Sequence, residues 1–281
     1  MRRTSFMPIG LLAVFLIILT AQSVPAANRL ELPRGVHYHR FAAIVEGPEV
    51  SWINPAALGY SRTIAAQITG EIYESKFAKS WGFSTVGDGI GISYRHLDNP
   101  NGDDYNEYIF GAGLRTGHGV YAGASYRYFK DGPYSWDGTH FWKVALMVRQ
   151  NPRVSVCAVL SNLNRQKIDG SKTDIEQLYS LSYRAGRYIA LSTEVSLSTE
   201  MSMSGADYIF GVDIYAIPGL QGYINFDNNE NYELGFRVNL MRYFLGAQSR
   251  LKTGGEHRGT SLSAGIVSTP QPSVIGRRGK Y

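Results

Sequence analysis

The sequence predicts an all-β chain: a 14-stranded up-and-down antiparallel transmembrane β-barrel preceded by a short N-terminal segment. Three observations carry that reading. Strand-like runs recur at about ten residues each, the length a tilted strand needs to cross a bilayer. Apolar and polar residues alternate with period two inside the runs, which gives a sheet one dry and one wet face. The connections between runs alternate short and long, as in barrels whose tight turns lie at one end and whose loops lie at the other.

Residues 1–26 read as a signal peptide. Arg2 and Arg3 supply the positive start, Ile9 to Leu19 the apolar stretch, and Val24-Pro25-Ala26 a small-residue cleavage site. A retained anchor is the other reading, and the apolar stretch is short for a spanning helix. Losing both arginines takes Lys and Arg from 28 to 26 against 23 Asp and Glu. So small an excess, spread along the chain, is not the footprint of a nucleic-acid binder. Charged residues make up 18%, below the roughly 25% of soluble domains, and Tyr (19) and Gly (31) are prominent. The single Cys157 excludes an internal disulfide.

Residues 27–61 form an N-terminal periplasmic or plug segment, and 62–268 the barrel. The runs are 63–73, 76–86, 89–97, 105–115, 120–129, 141–150, 154–163, 176–185, 188–198, 206–217, 220–228, 232–240, 243–252 and 260–268. In "YELGFRVNL", Tyr232, Leu234, Phe236, Val238 and Leu240 oppose Glu233, Gly235, Arg237 and Asn239. A soluble sandwich would turn such apolar faces inward; a membrane barrel turns them to lipid. The tight connections are "GD" (87–88), "TGHG" (116–119), "NPR" (151–153), "GR" (186–187), "PG" (218–219) and "MR" (241–242), each after an even-numbered run. Longer polar ones, such as "KDGPYSWDGTH" (130–140) and "NRQKIDGSKTDI" (164–175), follow odd-numbered runs. That rhythm favours the barrel and puts both termini on the periplasmic side. Tyr73, Trp81, Tyr108, Tyr126, Tyr128, Trp142, Tyr183, Tyr243 and Phe244 stand near run ends, where an interfacial girdle would lie.

Parity places a set of charges on the polar, lumen-facing side: Arg95, Arg115, Arg127, Lys143, Arg149, Arg184, Glu194, Asp213, Asp227, Glu233, Arg237 and Arg250. On the lipid face an Arg or Lys at the midplane would cost about 2–4 kcal/mol, so their shared parity constrains the architecture. Two roles are open to them: pairing across the lumen, or tuning what passes.

Ahead of the first run stands "WINPAALGY", residues 52–60. Asn54 suits a helix cap, Pro55 the first helical turn, and Ala56, Ala57 and Leu58 a short apolar helix that Gly59 can end. An ordinary turn into the first strand is the plainer alternative. Together with Trp52 and fourteen runs, this stretch resembles the long-chain fatty-acid transporter superfamily of the outer membrane. It is equally similar to the barrel of the type IX secretion system. "VLSNLN" (159–164) resembles an "NL" ending of such barrels. The resemblance implies that residues 38–60 lie in the lumen as a plug. Those transporters are longer, with extended loops that first capture ligand; the short loops here put such a capture site in question. The basic tail 269–281, "TPQPSVIGRRGKY" from residue 269, is expected at the periplasmic side. It resembles the linker joining some barrels to signal-peptide-peptidase-like proteases, and reads equally as a solvated end.

Other chemistry finds little support. His37 and His39 are close, but a lone H-x-H is a weak metal motif. "DNPNGDDYNE" (98–107) fails the calcium-loop register and reads as a solvated loop. No G-x-S-x-G elbow or phosphate-binding glycine loop occurs. No catalytic residue, metal or cofactor is therefore expected. The expected function is outer-membrane transport of small or hydrophobic solutes. A barrel scaffold for a periplasmic secretion or protease partner is the alternative, and a soluble secreted β protein the third reading. The expected partners are outer-membrane lipid, a hydrophobic solute and a periplasmic protein, and no nucleic acid.

Overall fold

A computed structural model describes residues 41–73, 76–98, 104–132, 136–149, 151, 153–168, 170–199, 205–255, 257–269 and 271. Residues 1–26 and nearly all of the tail, and with them His37, His39, Arg277, Arg278 and Lys280, lie outside the described residues.

Fourteen antiparallel strands close into a barrel. In chain order they are β1 (Ala65–Tyr73), β2 (Lys76–Gly87), β3 (Ile90–Leu97), β4 (Tyr105–Gly117), β5 (Val120–Lys130), β6 (His140–Val148) and β7 (Val154–Ser161). After a small hairpin of β8 (Lys167–Ile168) and β9 (Ser171–Lys172) come β10 (Glu176–Arg184), β11 (Ile189–Ser198), β12 (Asp207–Ile217) and β13 (Leu220–Asp227). The last three are β14 (Asn231–Leu240), β15 (Tyr243–Lys252) and β16 (His257–Val267). Each barrel strand pairs with its neighbours in the chain, β7 pairs directly with β10, and β1 pairs with β16 to close the ring. Closure leaves no sheet edge.

The strand runs expected from alternation match these elements closely. The hairpin was not expected, because two-residue strands carry no periodicity. The first tight turn is Asp88-Gly89, one residue later than "GD". Both of its residues have positive φ (46° and 84°), as do His118 (45°) and Gly119 (78°). That geometry matches the twist of the flanking strands.

The two faces of the sheet are inverted relative to a soluble fold. Ile68, Phe110, Phe210 and Leu245 stand exposed on the outer face, at 55%, 51%, 57% and 49%. Inward-facing Gln67, Ser84, Ser93, Glu107 and Asn225 are buried. Buried polar and exposed large apolar side chains are the informative departures from ordinary burial. Aromatic rings form a continuous row outside β2 to β4, Trp81–Tyr94–Tyr108, with centroids 5.1 and 5.2 Å apart. Tyr128 and the Tyr126–Trp142 pair extend it over β5 and β6. Tyr183 and Tyr243 are exposed at the opposite, short-turn end. Phe244 departs from the girdle reading. It is 1% exposed and lies inside, beneath the guanidinium of Arg237 at 3.8 Å, because it has the opposite parity to Tyr243.

Candidate functional site

The lumen is built in four levels. At the long-loop end Leu97, Tyr105, Phe129 and Phe141 converge from β3 to β6, with Ile168 of the β8–β9 hairpin buried among them and Trp136 against the group. Asn164 holds the loop that carries this hairpin against β6: its amide donates to the His140 carbonyl (2.8 Å) and its oxygen accepts from the Trp142 N–H (3.2 Å).

Beneath the aromatics lies a charged level. Glu107, fully buried, pairs with both Arg95 and Arg127. Arg127 also stacks on Phe129 at 4.6 Å. Lys143 donates to the Trp52 carbonyl at 2.6 Å. Glu107 corrects the loop reading of 98–107. Tyr105 already begins β4, so its carboxylate points inward with the parity of Ile109 and Gly111. The Glu107 parity is legible, since the run read from 105 already contains it, but the acidic stretch 98–107 also claims the residue for a loop.

The third level is the chain's own N-terminal segment. Its contacts reach β11, β10, the residue just after β6, and β14 in turn. Ala42 N–H donates to Glu194 (3.0 Å), Ala43 N–H to Ser180 (3.2 Å), Arg149 pairs with Glu46 (2.6 Å), and Arg237 approaches Glu49 (3.6 Å). Contacts to so many sides of a closed ring place residues 41–60 within it. A single helical turn (Val50–Ile53) leads into a 3-10 helix (Pro55–Gly59). Asn54 caps it, accepting from Ala56 N–H at 2.9 Å, while its amide donates to the Ala42 carbonyl at 2.7 Å. Trp52, Asn54, Pro55, Ala56 and Ala57 are all buried.

The wall opposite this helix is stripped of side chains. A Cβ on Gly113 would lie 2.6 Å from the Gly59 nitrogen, and one on Gly123 would lie 2.6 Å from the Ala56 nitrogen. One on Gly111 would meet Leu58 at 2.9 Å. Such contacts are far inside van der Waals range, so only glycine lets the helix backbone lie on the strands. The small, buried Ala56 and Ala57 of the helix are one cause of this close approach. The strand glycines are an equal cause that sequence reasoning missed, although they share one parity.

At the short-turn end an open cavity of about 980 Å³ lies between the segment and the wall, with Tyr60, Arg115, Arg184 and Tyr215 among its lining. Of the remaining lumen-facing charges, Asp213 accepts from Gln221 (2.5 Å), and Glu233 pairs with Arg250. Asp227 accepts from the N–H groups of Asn229 and Asn231, both at 2.9 Å, and so fixes the turn into β14.

Comparison with known proteins supplies the fold but no family. No protein-family model matches the chain, and no curated protein does. Among solved structures, the CymD monoaromatic hydrocarbon channel is similar at TM-score 0.53 and 8% identity, over 81% of this chain and 94% of that one. The Ralstonia pickettii toluene transporter TbuX is similar at TM-score 0.52 and 8% identity, over 84% of this chain and 98% of that one. The likeness establishes a shared barrel fold.

Proposed function

We propose that this chain is an outer-membrane channel for small hydrophobic solutes, with residues 41–60 as its plug. The observation that carries the reading is the inverted sheet: apolar side chains cover the outside, while a lumen lined by polar groups holds a segment of the same chain. Apolar surface of that extent is stable against acyl chains and costly in water. The reading agrees with what the two similar barrels are named for, a monoaromatic hydrocarbon channel and a toluene transporter. It also fits the resemblance of "WINPAALG" to the fatty-acid transporter superfamily, and a cleaved signal peptide over residues 1–26.

On this reading a solute meets Tyr105, Phe129 and Phe141 first, where ring faces and edges suit an apolar or aromatic guest. Passage then requires the N-terminal segment to shift. Its anchors to the far wall are a few hydrogen bonds and ion pairs, whereas its 3-10 helix lies flat on the β4–β5 glycines. Movement about that glycine face is the least costly rearrangement.

The test is toluene uptake into liposomes carrying the purified chain, with and without residues 41–60. Heat-modifiable migration on a gel first establishes that both barrels are folded. Faster uptake after deletion is expected. Unchanged uptake sinks the plug, and a full-length chain that fractionates as a soluble protein sinks the membrane reading altogether.

A further inference from the structure

The cavity at the short-turn end carries more positive charge than the described residues around it neutralise. Its lining holds five arginines, Arg62, Arg115, Arg184, Arg187 and Arg237, against one carboxylate, Glu46. Glu46 is taken by Arg149 at 2.6 Å, and Arg237 approaches Glu49 at 3.6 Å. Among the described residues, Arg62, Arg115, Arg184 and Arg187 have no carboxylate partner. Like charges gathered on a concave wall repel one another, and the field they create concentrates anions there.

Two of the four guanidinium groups are also positioned. Arg184 stacks over Tyr215 at 5.0 Å and Arg187 over Tyr188 at 4.7 Å. One Arg184 N–H donates to the Tyr215 hydroxyl at 3.4 Å; a guanidinium held over a ring in this way keeps its remaining N–H groups for a carboxylate. Beside them the cavity offers apolar and aromatic surface from Ile217, Leu220, Tyr60 and Tyr121. From this combination we infer that the cavity binds small organic anions, a carboxylate on an aromatic or apolar body. The binding stands on the cavity alone. Its place as the exit of the path, and hence a preference for carboxylated over neutral solutes, rests on the transport reading above.

The experiment is calorimetric titration of the full chain in nonionic detergent with benzoate, and with benzyl alcohol as the neutral probe of the same shape. Benzoate is expected to bind at least about tenfold more tightly, and to weaken with added salt. In R184Q/R187Q the benzoate affinity should fall about tenfold, with benzyl alcohol unchanged. If that double variant fails to show heat-modifiable migration, R115Q serves instead, since Arg115 is exposed to the cavity; a loss of about threefold is expected there. Equal affinity for the two probes overturns the inference, as does benzoate binding that no arginine substitution alters. Benzoate binding that persists in a chain failing toluene uptake would sink the transport reading and leave this site standing. Uptake without benzoate binding would do the reverse.

Discussion

Glu107 shows what a single side chain does in this lumen. One carboxylate, fully buried, serves Arg95 and Arg127, and Lys143 adds a further positive charge on the same inner face. Taking it away strips Arg95 and Arg127 of the buried carboxylate they share. Removing one partner of a buried ion pair typically costs about 3–5 kcal/mol. E107Q is therefore expected to lower barrel stability by about that amount, read from denaturant unfolding of the detergent-folded protein. A loss under 1 kcal/mol, with folding otherwise intact, would mean that water reaches the arginines. Parity alone assigns Arg95, Arg127 and Lys143 to the same side. It did not name their partners. The Arg95–Glu107 and Arg127–Glu107 contacts depend on how β4 is set against β3 and β5, and register follows from the whole pairing.

At the scale of the element, the 3-10 helix at residues 55–59 is a local structure with a distant condition. Asn-Pro starts it for reasons internal to the segment: a capping side chain, and a residue with preset φ and no N–H to satisfy. Its position depends on Gly111, Gly113 and Gly123, which lie more than fifty residues away in the chain. G123V places side-chain atoms where the Pro55–Ala56 backbone runs. The expected outcome is a barrel that keeps its heat-modifiable migration while residues 41–60 become accessible to protease. Overpacking of this kind costs about 1–3 kcal/mol, enough to displace a segment held by few anchors and too little to open a closed sheet. Continued protection of the segment would show that the glycines do not set its seat. The β8–β9 hairpin makes the complementary point. Its two-residue strands gave no pattern to read, and Ile168 is informative only because Leu97 and the aromatic side chains of three other strands surround it.

For the whole molecule, the decisive property is which face of the sheet meets which medium. F110R distinguishes the possibilities. Phe110 is exposed on the outside of β4, between the aromatic row and the short turns. In a bilayer an arginine near the midplane costs about 2–4 kcal/mol. In water the same substitution on an exposed face would change stability by less than about 0.5 kcal/mol. Folding free energies measured in lipid vesicles should therefore fall by the larger figure. A negligible change would remove the membrane from the account, whatever the shape of the barrel.

The alternation of side chains along each run is a local property, with a period of two and no dependence on neighbours. The sequence by itself therefore determined the number of barrel strands and the approximate bounds of each. The contents of the lumen are not local. The bond from Ala42 to Glu194 joins residues 152 apart in the chain, and the pair Arg149–Glu46 joins residues 103 apart. Such meetings exist only once β1 has found β16 and the ring has a fixed circumference. Tertiary structure alone decided that Glu107 is a buried hub, that Ile168 joins the aromatic mouth, that Phe244 points inward beneath Arg237, and that five arginines gather around one cavity. The physical reason is that closing the sheet brings inward residues from every strand into one enclosed volume, and their partners are set by register and stagger around the ring rather than by order along the chain.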